Sequence, residues 1–204
     1  MKTLLIILLV FATVHQVWAQ TKPAGHKRLK CGVERQAVKT GQDKEWNLVQ
    51  QQPVETTIEE LRTLAPPPDL KQTPSVRHPP AEITTYTVTA YLIGYKREAD
   101  RDYHLILASP EAMNITMIAE IPSGLCVGDN LRSVVTKEQK WVRDHFGPVK
   151  QPGRLKSFGK SPKLVTVTGV AFFDFLHNQD GVAPNGIEIH PVLKIDLYKP
   201  IVVH

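Results

Sequence analysis

The chain has 204 residues, 42% of them hydrophobic, with 25 Lys and Arg against 20 Asp and Glu and a formal net charge of +5. That length suffices for one core with an N-terminal extension, and the mild positive charge suits an anionic partner without demanding one. With no Gly-rich phosphate loop and no Ser-containing nucleophile elbow, nucleotide hydrolysis and α/β-hydrolase chemistry find no support.

Residues 1–19 read as a signal sequence: Lys2, an apolar run at 4–13, then Val17-Trp18-Ala19 ahead of cleavage before Gln20. The apolar run is shorter than the ~20 residues that span a bilayer. The expectation is an exported protein, periplasmic or extracellular, without a stable membrane anchor. Residues 20–30 form a polar, basic arm. Cys31 and Cys126 are the only cysteines, and an isolated pair in an oxidising compartment predicts a disulfide. It would close a loop of about 95 residues and contribute roughly 3–5 kcal/mol. Residues 34–40 are expected to form a short strand. Thr56 and Thr57 precede Glu59 and Glu60 at capping-box spacing, with Ile58, Leu61 and Leu64 on one helical face. Residues 20–64 are thus an arm plus a small ordered segment. Six prolines at 65–80 predict an extended, semi-rigid connector.

The main domain is expected at 81–204. Alternating β-branched and aromatic residues predict strands at 84–95, 103–108 and 115–121. Asp129 is the predicted N-cap of a helix reaching Phe146, stopped by Gly147-Pro148. A basic loop follows, then strands at 164–174 and 187–197. The order β-β-β-α-β-β predicts a mainly β protein, a five-stranded OB-like barrel.

The chemically able side chains fall in three groups. Asp102 and His104 share one strand face, and hairpin pairing would bring Glu120 near His104; Glu188 and His190 share a face of the last strand. These five are the candidate catalytic residues, against a bland reading as cross-strand pairs on a solvated sheet face. Asp174, His177 and Asp180 are candidate ligands for a divalent metal, although their spacing fits no defined metal motif and the neighbouring Asn, Gly and Pro residues suit tight turns. Lys150, Arg154, Lys156 and Lys160, in a loop without an acid, are candidate ligand-binding residues for a polyanion. Tyr86, Tyr91, Tyr103, Phe172 and Phe173 are candidate stacking platforms, half or more of them expected in the core.

Several motifs run through this frame: Glu34-Arg35 with Val38-Lys39-Thr40, Asp102-Tyr103-His104-Leu105, residues 117–122 (MIAEIP), Val167-Thr168-Gly169 through Phe172-Phe173-Asp174, Ala183-Pro184-Asn185-Gly186, and residues 187–192 (IEIHPV). On these the chain resembles an uncharacterised family of exported bacterial OB-fold-like proteins, over most of residues 31–195. The resemblance implies the fold and export but no activity. The strand order also resembles the staphylococcal-nuclease branch of OB barrels, at the level of fold only. That branch's metal-binding aspartates and phosphate-clamping arginines do not map here, since the third and fifth strands hold no arginine.

The function expected from sequence is an exported OB-fold binding or accessory domain with nucleic acid or another polyanion as ligand. One alternative is a metal-assisted hydrolase of nuclease or phosphodiesterase type, using the Asp, His and Glu residues of the barrel face. Another is a protein-interaction or structural module that docks through the N-terminal segment and its proline connector. No cofactor is required by the sequence; a divalent metal would serve the hydrolase.

Overall fold

The computed structural model describes residues 31–200 except His177; the expected signal sequence and the basic arm at 20–30 lie outside the described residues. In chain order the elements are α1 (Gln36–Lys39), β1 (Val54–Thr56), α2 (Ile58–Thr63), β2 (Thr85–Arg97), β3 (Tyr103–Ala108), β4 (Thr116–Ile121), α3 (Asp129–Phe146), β5 (Lys156–Ser157), β6 (Lys163–Phe173) and β7 (Ile187–Leu197). β2 pairs antiparallel with β3, and β3 with β4; β4 then runs parallel to β7, β7 pairs with β6, and β6 returns to β2. This closes a five-stranded barrel in OB order, with no unpaired edge among those strands.

The barrel interior takes every second residue of each strand. Val88, Ala90, Leu92, Leu105, Leu107, Met117, Ala119, Val165, Val167 and Ile195 form one buried cluster. α3 lays Leu131, Val135, Val142 and Phe146 against that cluster. The Tyr95 hydroxyl donates to the Gly147 carbonyl, fixing the helix end to β2. Helix α2 begins with the predicted capping box, Thr57 and Glu60 each bonding the other's main-chain N–H.

β1 runs parallel to β2, and β5 pairs with Gly94 and Tyr95 of β2. Strands of three and two residues are too short for alternation to reveal in a sequence. Where residues 34–40 were expected to form a strand, Gln36–Lys39 form helix α1. Arg35 takes the left-handed conformation (φ 47°), and both the amide and the hydroxyl of Thr40 bond the Gln36 carbonyl. The turn sets Arg35 and Lys39, four residues apart, toward the barrel. α3 starts one residue earlier than expected: Gly128 occupies the cap position and Asp129 the first turn, where its charge still favours the helix N-terminus.

The N-terminal segment is tied down by ion pairs and one covalent bond. Arg35 makes two hydrogen bonds to Glu82, at 2.5 and 2.9 Å, and one to the Phe173 carbonyl at 2.7 Å. Arg77, in the proline-rich stretch, is 1% exposed and grips Asp43 at 2.9 and 2.7 Å and the Val38 carbonyl at 2.8 Å. Cys31 and Cys126 are disulfide-bonded, with Cα atoms 5.6 Å apart and a sequence separation of 95. Replacing both cysteines by Ser is expected to lower unfolding free energy by roughly 4 kcal/mol, from the loop length. Guanidinium unfolding measures it, and a loss under ~1 kcal/mol would mean that the ion pairs alone hold the segment.

Candidate functional site

β3 is buried along its whole length. Tyr103, Leu105 and Leu107 point into the barrel, while Asp102, His104 and Ile106 lie on the other side. That outer side meets a second layer built from α1 and the 174–186 loop. The Asp174 amide donates to the Gly186 carbonyl at 2.8 Å, closing the loop on itself. Gly181 (φ 86°) approaches β3 so closely that a Cβ would lie 2.5 Å from the Ile106 Cγ2. Both the φ and the space demand glycine there. The Asp180 carbonyl then sits 3.0 Å from His104 Nε2.

The five candidate catalytic residues converge under this cover. Register places His104 opposite Glu120, and their Nδ1 and Oε1 atoms are 2.8 Å apart. Parallel pairing of β4 with β7 brings Glu188 beside Ile118. His190 Nδ1 is 3.1 Å from Glu188 Oε1 and 3.3 Å from Glu120 Oε2. Asp102 accepts from the Ser123 amide at 2.7 Å. None of the five is more than 8% exposed, so the expected solvated sheet face is instead a buried polar layer. Alternation along a strand separates two faces but does not say what covers the outer one.

Both ring nitrogens of His104 face acceptors, Glu120 at Nδ1 and the Asp180 carbonyl at Nε2. Burial pulls its pKa down, but the hydrogen bond and charge of Glu120 outweigh that and raise it. Burial acts on Glu120 in the opposite sense and is overcome by His104, His190 and Lys39, so Glu120 lies below the usual carboxylate range. Burial, reinforced by the charges of Glu120 and Asp174, pushes Glu188 well up. Burial lowers His190 and raises Asp102 to about 7. Lys39 closes the network from α1, its Nζ 2.9 Å from Asp174 Oδ2. Burial lowers its pKa, but the carboxylates of Glu188, Asp174 and Glu120 win and raise it. Four acidic side chains (Asp102, Glu120, Asp174 and Glu188) thus share one buried layer with Lys39, His104 and His190.

A pH dependence follows. Folded Asp102 keeps its proton up to about 7, against 3.8 for the ordinary group, so it removes stability as pH rises between those values. Asp102→Asn keeps an acceptor for the Ser123 amide without the charge. It is expected to be more stable than the parent at pH 8, by roughly 1–4 kcal/mol, and level with it below pH 4. Thermal melts in chelator at both pH values test this; a variant less stable at pH 8 would contradict it.

Among the described residues, neither Asp174 nor Asp180 belongs to a group that could hold a metal. Asp174 is engaged by Lys39, Asp180 contributes its carbonyl to His104, and His177 lies outside the described residues. Such a group is found at the strands: one ligand atom each from Asp102, just before β3, Glu120 on β4 and His190 on β7, all within 4.8 Å of one another.

A second feature lies at the surface. Arg97, Arg101, Arg132 and Arg143 line a groove of about 430 Å³ with Tyr103, Leu125, Thr136 and Gln139 and no acidic side chain. The helical residues 132, 136, 139 and 143 recur at the spacing of one face of α3. Arg97 ends β2, and Arg101 sits in the β2–β3 turn, its carbonyl bound by Gln139. Arg132 pairs with Asp129 at 2.9 Å and Arg143 lies 3.8 Å from Asp144. Arg97 and Arg101 have no ion pair among the described residues. An adjoining hollow of about 310 Å³ shares Pro148 and Val149 with the groove and is lined by Lys150, Arg154 and Lys156. The Gly153 amide donates to the Arg97 carbonyl at 2.7 Å, docking the basic loop beside β2.

Of the expected ligand-binding residues, Lys150, Arg154 and Lys160 are exposed. Lys156 is half-buried; it donates to the Phe146 carbonyl and lies over the Tyr95 ring, holding the end of α3. Among the candidate stacking residues, Tyr103, Phe172 and Phe173 are buried. Sequence reasoning missed the four arginines because they come from separate elements. It also missed Lys39, whose spacing from Arg35 was the available signal. No family model, curated protein or solved structure matches the chain.

Proposed function

We propose that the chain is an exported OB-like binding domain whose ligand is a polyanion, held along the groove of Arg97, Arg101, Arg132 and Arg143 and onto Lys150 and Arg154. One observation carries this reading: four arginines from three parts of the fold line one groove that no acid lines, and it continues into the basic loop. Guanidinium groups bind phosphate and sulfate oxygens in pairs, and a row of them neutralises an extended chain of charge. Single-stranded nucleic acid is the leading ligand class. Leu125, 65% exposed at the groove, offers apolar surface to a base. Export is supported by the disulfide, which persists in oxidising compartments.

A hydrolase using Asp102, His104, Glu120, Glu188 and His190 would need its scissile bond beside groups that α1 and the 174–186 loop cover. Binding outside the barrel, rather than chemistry within the layer, therefore fits the geometry better. The test is fluorescence anisotropy of labelled single-stranded DNA and RNA at low salt, with a sulfated polysaccharide as competitor and the probes checked afterwards for cleavage. Saturable binding with intact probes is expected. Metal-dependent cleavage, or no binding to any of these polyanions, would overturn the proposal.

A further inference from the structure

The geometry points to a divalent transition-metal site inside the buried layer, with Asp102, Glu120 and His190 as its ligands. The site is independent of the polyanion groove. One ligand atom from each of the three residues lies within 4.8 Å of the others, against ~3.3 Å between ligands of a tetrahedral zinc ion with bonds of about 2.0–2.2 Å. Side-chain rotations of about an ångström would close that gap.

Two further observations mark the site as built for a cation. His190 is 1% exposed, and its Nε2 has no hydrogen-bond partner among the described residues. Its Nδ1 is meanwhile held 3.1 Å from Glu188. An imidazole that donates from Nδ1 to a carboxylate carries its lone pair on Nε2, the arrangement that orients a metal-binding histidine. Glu120 is oriented in the same way. His104 holds Oε1 at 2.8 Å, and Oε2 lies 3.3 Å from Nδ1 of the imidazole that carries the open Nε2. Lys39 is drawn to Asp174 at 2.9 Å. One imidazole with carboxylates suits Zn²⁺ or Mn²⁺ better than Ca²⁺ or a thiolate-seeking ion.

The test uses the full mature chain, both as purified and after refolding with Zn²⁺, since the ligands are covered. Zinc content is measured after desalting, and Co²⁺ is titrated as a spectroscopic probe. About one equivalent of zinc is expected, with Co²⁺ absorption bands in the visible, in at least one of the two preparations. Both signals should be lost in Asp102→Asn and in His190→Asn, the latter keeping a donor near Nδ1 while removing Nε2. Circular dichroism identifies folded variants; if His190→Asn fails to fold, Asp102→Asn decides alone. Zinc-free protein in both preparations, or binding that survives in the folded variants, would overturn the site.

Discussion

Arg97→Glu combined with Arg101→Glu is expected to weaken binding of a single-stranded oligonucleotide by about 100-fold at low salt, with the fold intact. Each substitution removes one charge-assisted contact of ~1.5 kcal/mol and adds a repulsive charge. Neither arginine has an ion pair among the described residues, and the Gln139 bond to residue 101 uses its main-chain carbonyl. Folding is therefore spared. Anisotropy titrations measure the affinity and thermal melts the fold. A double variant that binds within threefold of the parent would place the ligand elsewhere.

Lys39→Met is expected to destabilise the protein by roughly 3–5 kcal/mol, the cost of leaving buried charge without its partner. Lys39 faces Asp174 directly and feels Glu188 and Glu120, so its loss leaves more than one carboxylate uncompensated. Asp174→Asn should recover part of the loss, because Asn keeps an oxygen for the Phe175 amide, 2.8 Å away, without the charge. A double-mutant cycle from guanidinium unfolding gives the coupling. A Lys39→Met cost below ~1 kcal/mol, or no recovery, would show that the layer is not held by this pair.

Long alternating strands were legible in the sequence. The last strand was expected at 187–197 and lies at Ile187–Leu197, because eleven residues of period two leave little freedom. The OB-like order followed from three strands, a helix and two strands. Helix α1 was not legible: four residues are too few to show a helical period, and its turn is fixed by contacts of Arg35 with Glu82 and of Lys39 with Asp174. The pairing of His104 with Glu120 could be read from hairpin register, but its burial could not. That depends on the 174–186 loop, whose Asn, Asp and Gly residues suit an exposed turn equally well. The arginine groove was invisible for another reason. Residues 97, 101, 132 and 143 become neighbours only when α3 packs beside the β2–β3 hairpin.

The most direct test of a polyanion groove is the dependence of affinity on salt. Six basic residues line the groove and hollow beyond the structurally engaged Lys156, and each phosphate neutralised on a single strand contributes a slope of about −0.7. A plot of log K against log NaCl concentration for a labelled single strand is expected to be linear, with a slope near −4 if all six engage. It should become shallower by about 0.7 for each groove arginine replaced by Ala. A flat plot, or a slope that these substitutions leave unchanged, would contradict binding in the groove.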